Sequence, residues 1–258
     1  MAIVTHILEA QGLSKNFGGV AAVQDVALAI DRGEIVSLIG PNGAGKTTVF
    51  NLISGVLRPT AGRVIFDGRD MQRVRPDQYA KHGMGRTFQN LALFKNSTVI
   101  ENLLVGLHSH IASNPLQSML FYGSARREEA EARRKAEEIV DFLEIPHLRN
   151  RIVGSLSYGQ QKRIELGRAL ACNPRLLLLD EIVAGMNQEE REDISRFILA
   201  IREEFGIAIL MIEHDMRVVM DLSDRIYVLE FGRLIASGRP EEVRANPAVL
   251  AAYLGEEA

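Results

Sequence analysis

The residues with the clearest chemical purpose lie between positions 40 and 48. Gly40, Gly45, Lys46 and Thr47 fit the spacing G-x-x-x-x-G-K-[ST] inside the longer stretch EIVSLIGPNGAGKTT, which covers 34–48. That spacing suits a triphosphate. Gly40, Gly43 and Gly45 permit backbone angles and close approaches that a Cβ would block. The N–H groups of the loop and of the helix start then face an anion. Lys46 can reach the β- and γ-phosphates, and the Thr47 hydroxyl can ligate Mg²⁺. The alternative is a glycine-rich turn with a chance lysine. The apolar run Ile35, Val36, Leu38, Ile39 before the loop, and a helix read over 47–56 after it, supply the strand–loop–helix context that favours phosphate. The motif implies a bound nucleoside triphosphate and leaves open what its hydrolysis drives.

Carboxylates follow at a second apolar run. Leu176 to Leu179 reads as a strand buried on both faces, and it ends in Asp180-Glu181. A carboxylate there, beside a P-loop, can hold Mg²⁺ directly or through water. Its neighbour can polarise an attacking water or take its proton. An ordinary polar strand end is the competing reading. Ile207 to Ile212 is another buried strand, ending in Glu213-His214-Asp215. His214 is therefore expected at the same sheet edge, where ligands of open α/β sheets bind, placed to donate to the γ-phosphate. His6, His82, His108, His110 and His147 have neither such placement nor metal-ligand spacing.

A second anion-binding surface is read at Leu156-Ser157-Tyr158-Gly159-Gln160. Ser157 is a natural N-cap for a helix running to Ala171. Its hydroxyl, the bare backbone of Gly159 and the positive helix end all favour an anion. Phe17 sits on a loop just before the nucleotide strand. It either stacks on an adenine or packs in the core, and position alone does not separate the two.

These groups need a scaffold, and the chain has room for one. Its 258 residues suit one large domain, or a domain with an inserted lobe. With 47% hydrophobic and 24% charged residues it reads as a folded soluble protein. A net charge of −3 gives no basic field for nucleic acid. Cys172, the single cysteine, excludes an internal disulfide or cysteine-metal cluster and reads as a small buried hydrophobe. No basic flank with a long apolar run opens the chain, and no apolar stretch approaches the ~20 residues that span a bilayer. A cytosolic location is expected, with any membrane role coming through a partner.

Short strands are expected at 7–10 and 20–30, with a turn at Phe17-Gly18-Gly19, and another strand at 63–66 before a hairpin-type turn at Asp67-Gly68. Residues 69–81 read as polar and partly helical. Between 90 and 150 the character changes. Leu91, Leu93 and Phe94 cluster, 98–107 reads as a helix, Asn114-Pro115 as a loop and 119–122 as an apolar patch. A long amphipathic helix covers 125–143, with Glu128 pairing along its polar face with Arg127 neighbours and positions such as Lys135. This segment reads as a helical lobe inserted in an α/β core. A helix is read over 188–202, final strands at 225–229 and 234–237, and a last helix over 248–254 capped by Asn246-Pro247.

GPNGAGKTT, LSYGQQ, LLLLDE and IEHD, in that order, resemble the ATP-binding subunit of an ABC transporter over nearly the whole chain. LSYGQQ discriminates, since other P-loop families lack it. The resemblance implies an ABC-type P-loop NTPase fold: a parallel-sheet core, an N-terminal antiparallel β subdomain and an inserted α-helical subdomain. The core takes 1–89 and 167–240, the helical subdomain 90–166, and a helical tail 241–258. It implies an ATP hydrolase whose two copies, or two paralogues, sandwich ATP head to tail, so that Ser157, Gly159 and Gln160 of one subunit face the P-loop of the other. Phe17, Val23, Asn42, Gly43, Ala44, Gly45, Lys46, Thr47 and Thr48 are then expected at the nucleotide, and Thr47, Gln89 and Asp180 at Mg²⁺. Glu181 resembles the catalytic glutamate, His214 the switch histidine, and Gln89 the loop glutamine that links to membrane subunits.

NFGGVAAV, GRTFQN, AGMN, IEHDM and NPAVLAAYLGE look like the branched-chain amino acid importer group, in particular its LivG-type subunit. Urea or short-amide importers and lipopolysaccharide exporters look similar and remain alternatives, as does a soluble ABC ATPase of ribosomes or DNA, which the lack of a partner repeat or basic patch disfavours. The resemblance implies permease subunits, a second ATP-binding subunit and, indirectly, a substrate-binding protein as partners, no nucleic acid, and a position on the inner face of the cell membrane. Two residues depart from the pattern. Ile182 stands where proline usually follows the glutamate, and Asn187 where many relatives have the aspartate of the inter-subunit loop.

Overall fold

The computed structural model describes residues 6–87, 92–107 and 124–254. Two sheets organise them. β1 (His6–Phe17) and β2 (Val20–Asp31) form a long antiparallel hairpin, and β4 (Ala61–Phe66) with β5 (Arg69–Asp70) completes a four-stranded sheet in the order β2-β1-β4-β5. β1 runs well past the expected 7–10. Asp67 and Gly68 both have positive φ, as the two-residue hairpin turn requires. The second sheet has the order β10-β9-β3-β8-β7-β6, from β3 (Ile35–Ile39), β6 (Met84–Arg86), β7 (Leu176–Asp180), β8 (Ala208–Ile212), β9 (Arg225–Glu230) and β10 (Arg233–Gly238). All its pairings are parallel except β9 with β10.

The apolar runs are explained by burial on both faces. In β7, Leu177 and Leu179 point into one core while Leu176 and Leu178 point into another. The second core lies under the antiparallel sheet and against α1 (Lys46–Ile53). The first joins the sheet to α2 (Val99–Leu107), α3 (Ser124–Phe142), α4 (Tyr158–Ala171) and α5 (Gln188–Phe205). A smaller cluster seats α6 (Met216–Leu222), α7 (Pro240–Arg244) and α8 (Pro247–Leu254) on β9. The helical lobe is thus continuous in packing with the core, and α4 runs through the expected boundary at 166/167.

Other expectations shift. α1 ends at Ile53 rather than 56, because Gly55 turns left-handed at φ +74° and the Leu57 N–H folds back onto the Asn51 carbonyl. Residues 69–81 begin with β5 and are partly helical as expected, the helical part being 3₁₀ turns at Pro76–Gln78 and Ala80–His82. Pro76 lacks the N–H a helix interior needs. On α3, Lys135 lies near Glu131, one turn back, rather than Glu128. Cys172 is half-buried at the end of α4, its Sγ 3.6 Å from the Gly106 carbonyl. Gln89, Leu91, Asn114-Pro115 and 119–122 lie outside the described residues. Among the described residues, no helix is long and apolar enough to cross a membrane.

Candidate nucleotide site

Three parallel neighbours, β3, β8 and β7, end at one edge of the sheet. β3 delivers the P-loop, β7 delivers Asp180-Glu181 and β8 delivers Glu213-His214. A cavity of about 560 Å³ there is lined by Asn42, Gly43, Ala44, Gly45, Lys46, Thr47 and Thr48 together with Glu181 and His214. Larger clefts, about 1040 and 840 Å³, lie elsewhere, with mixed-charge walls and none of these groups. Chemistry rather than size marks the site.

The loop's shape depends on glycine. Gly45, at φ +100°, would carry a Cβ 2.7 Å from the Ala22 carbonyl oxygen, so nothing larger fits between the hairpin and the loop. Lys46 donates from Nζ to the carbonyls of Gly40 (2.6 Å) and Pro41 (2.8 Å), which holds its ammonium over the loop. Gly232, in the β9–β10 turn, donates to the Ala44 carbonyl and braces the loop from behind.

Glu181 and His214 meet directly, with Nε2 2.9 Å from Oε1. Glu181 has φ +50°, a left-handed conformation that costs a glutamate about 1–2 kcal/mol. Its N–H donates to the Ile212 carbonyl (2.9 Å), which ties the turn to β8. Burial pushes the Asp180 carboxyl above its usual range, against the pull of Arg86. Arg86 reaches Asp180 at 3.4 Å, donates to the Ser54 hydroxyl at 2.5 Å and lies 4.8 Å over the Phe50 ring, so it links β7 to α1. The Thr47 hydroxyl and Asp180 carboxylate are hard oxygen donors. Thr47 lines the cavity, whereas Asp180 is buried behind it and paired with Arg86, so the pair fits Mg²⁺ held directly by Thr47 and through water by Asp180, with phosphate and water completing the shell. Among the described residues no cluster of three His, Cys, Asp or Glu offers a competing metal site.

Ser157, Gly159 and Gln160 do not join this cavity. Ser157 caps α4 by accepting from the Gln160 N–H, while the Gln160 side chain accepts from the Ser157 N–H. Gly159 lies against Glu190, where a Cβ would fall 2.2 Å from a carboxylate oxygen. Asn187, at the departing position, caps α5 in the same reciprocal way with Glu190. Ile182 is fully buried in the core.

Phe17 is 47% exposed at the end of β1, with Lys15 Nζ 5.2 Å from its ring, and so is not a core residue. Val23 does not reach the cavity. Its side chain is fully buried, and Val20, Ala21, Ala22 and Gln24 line the cavity instead. Phe231 also lines it and went unnoticed in the sequence. It is 81% exposed in a two-residue turn at φ +45°, a rare conformation for a bulky residue. Glu213, which the sequence marks only as a strand-end residue, belongs to the site's surroundings as well. It is 3% exposed, and burial pushes its carboxyl up to about 7 despite the opposing pull of the Val183, His214 and Ile182 N–H groups; the Glu181 charge adds to the rise.

A P-loop at the end of a parallel strand, with a carboxylate–histidine pair at the same edge, defines a P-loop nucleoside triphosphatase. The ABC transporter family model matches residues 23–184, and the model of the branched-chain amino acid ATP-binding cassette transporter matches 233–258. The chain is 44% identical to BraF of Pseudomonas aeruginosa, a high-affinity branched-chain amino acid transport ATP-binding protein, over 97% of this chain and 98% of that one. It is 42% identical to the corresponding LivG of Escherichia coli strain K12, with the same coverage. A solved ATP-binding cassette of an ABC transporter in its ADP conformation superposes with a TM-score of 0.84 at 36% identity, over 97% of this chain and 99% of that one. The chain belongs to the ABC transporter family, as an ATP-hydrolysing cassette.

Proposed function

We propose that this cassette hydrolyses ATP to drive import of branched-chain amino acids through membrane permease subunits, paired head to tail with a second cassette. The observation that carries the hydrolytic part is the 2.9 Å Glu181–His214 contact in the P-loop cavity. Glu181 takes a proton from water as the water oxygen attacks the γ-phosphorus. The bond from that phosphorus to the β–γ bridging oxygen breaks, and ADP leaves. Lys46 stabilises charge spread over the phosphoryl oxygens, and His214 holds the γ-phosphate against Glu181. Thr47 and Asp180, with Gln89 as the resemblance implies, would hold Mg²⁺, which would supply further charge neutralisation when bound. The capped start of α4 does not line this cavity, which supports its use in trans: Ser157 and Gly159 of the second subunit complete the phosphate shell, with Gln160 fixing the cap that presents them. Phe17 stacks on the base.

The similarity to BraF and LivG supports branched-chain amino acids as the transported class; permease subunits, with a substrate-binding protein engaged through them, are the partners such transport needs. Exposed Val56 and Val105 flank a groove between α1 and α2 that suits a permease segment and a position on the inner membrane face. Glu181→Gln is expected to keep ATP binding while lowering turnover by about 10²-fold or more. Steady-state ATPase with a binding assay checks this, and full-rate hydrolysis by the variant would exclude Glu181 as the base.

A further inference from the structure

Glu213 is a buried carboxylate to which the hydrolytic scheme gives no part. It closes β8 one residue before His214. The Val183 N–H donates to its Oε1 at 3.1 Å, and the N–H dipoles of Ile182 and His214 also favour the charged carboxyl. A carboxylate has about four lone-pair positions, so it has room for all three N–H groups. They belong to two turns leaving adjacent parallel strands, which pair as Asp180 with Ile212 at this end. One turn begins with Glu181 and the other carries His214.

The Glu181 turn needs holding. Its first residue is in the left-handed region, and such a conformation persists only where its surroundings over-determine it. Backbone pairing with Ile212 fixes one side of the turn, and the buried Ile182 side chain anchors it from below. The amides that follow Glu181 face the Glu213 carboxyl, and that of Val183 donates to it. A side chain without acceptors at 213 would leave the buried Val183 N–H unpaired, and the turn would open to satisfy it elsewhere. Glu181 and His214 would then move relative to one another.

We propose that Glu213 is a positioning residue, whose carboxyl ties the turn carrying Glu181 to the turn carrying His214 and so sets the contact between them. The proposal rests on Glu181 acting as the base.

The test uses the full chain with Glu213→Leu and Glu213→Gln, alone and on a Glu181→Gln background. Glu213→Leu has similar bulk and no acceptor. It should lower kcat about 10- to 100-fold, the scale set by sub-ångström to 1 Å misplacement of a catalytic group. The KM for MgATP and the affinity for a fluorescent ATP analogue should stay within about twofold, because the P-loop is untouched. Glu213→Gln keeps one acceptor oxygen and should fall between, about threefold below wild type. Hydrogen exchange at the Ile182 and Val183 amides should speed up in the order wild type, Gln, Leu. On the Glu181→Gln background neither change should lower the residual rate further, since both act through the same residue. An unaltered kcat in Glu213→Leu, a parallel loss of ATP affinity, or a further full loss on the Glu181→Gln background would overturn the proposal. If the leucine variant does not fold, wild-type kcat and wild-type amide exchange in Glu213→Gln overturn it instead. Full turnover by Glu181→Gln would defeat the assignment of the base rather than the role of Glu213.

Discussion

The protonation of Glu213 gives a stability prediction whose sign can be worked through. Its carboxyl ionises near 4.5 when solvated and near 7 in the folded protein, chiefly because burial disfavours the charged form. Between those values the folded chain holds a proton that the unfolded chain has released. Folding is therefore favoured by this group at low pH, and the advantage is lost as pH rises through the folded value. A rise of this size corresponds to about 3 kcal/mol in full, of which about 2 kcal/mol falls between ~pH 5.5 and ~pH 8.5. Glu213→Gln mimics the neutral acid and cannot titrate. Urea unfolding of both proteins across that range gives the difference directly. Groups distant from residue 213 contribute equally in the two proteins and cancel. The expected result is a glutamine variant that is already more stable by roughly 1.4 kcal/mol at the acid end and by roughly 3.4 kcal/mol at the alkaline end, so that its advantage grows by about 2 kcal/mol across the range. A difference that stays flat with pH, or grows toward acid, would refute the reasoning that burial dominates this site.

Phe17→Ala should raise the KM for ATP about tenfold with kcat unchanged, since a base–aromatic stack contributes about 1–3 kcal/mol, and Phe17→Tyr should restore it. Steady-state kinetics checks both, and an unchanged KM would remove Phe17 from the site. Asn187→Ala removes the α5 cap and should lower stability by about 1 kcal/mol in thermal unfolding, whereas Asn187→Asp should not. ATPase activity per mole of chain should rise with protein concentration, and a constant specific activity down to the lowest measurable concentration would count against completion of the site by Ser157 and Gly159 of a second copy.

The parts of the fold that were legible in the sequence are those where one local force dominates. The run Leu176 to Leu179 has no polar face, so it could only be a strand covered on both sides, and it is. Ser157 followed by Gln160 three residues on carries its own hydrogen-bonding instructions, and both bonds form. The P-loop is legible for the same reason, because its glycines answer to local backbone geometry.

What was not legible depends on the register between elements. Val26, Leu28 and Ile30 alternate inward along β2, and continuing that alternation backward would turn Ala22 and Gln24 to the core and leave Val23 at the nucleotide. Asp25, at φ +51°, breaks the strand's period, and the pairing with β1 shifts in the same region. Val23 and Val26 then both face inward although they are three residues apart, and Ala22 and Gln24 reach the cavity. The burial of Glu213 was not legible for a related reason. A charged residue at a strand end reads as solvent-facing. Its burial is decided by the adjacent strand, whose left-handed turn at Glu181 brings backbone N–H groups to the carboxyl. The partner of Glu213 is thus not a side chain that a sequence pattern could name but a backbone conformation adopted some thirty residues away, and the same conformation presents Glu181 to His214.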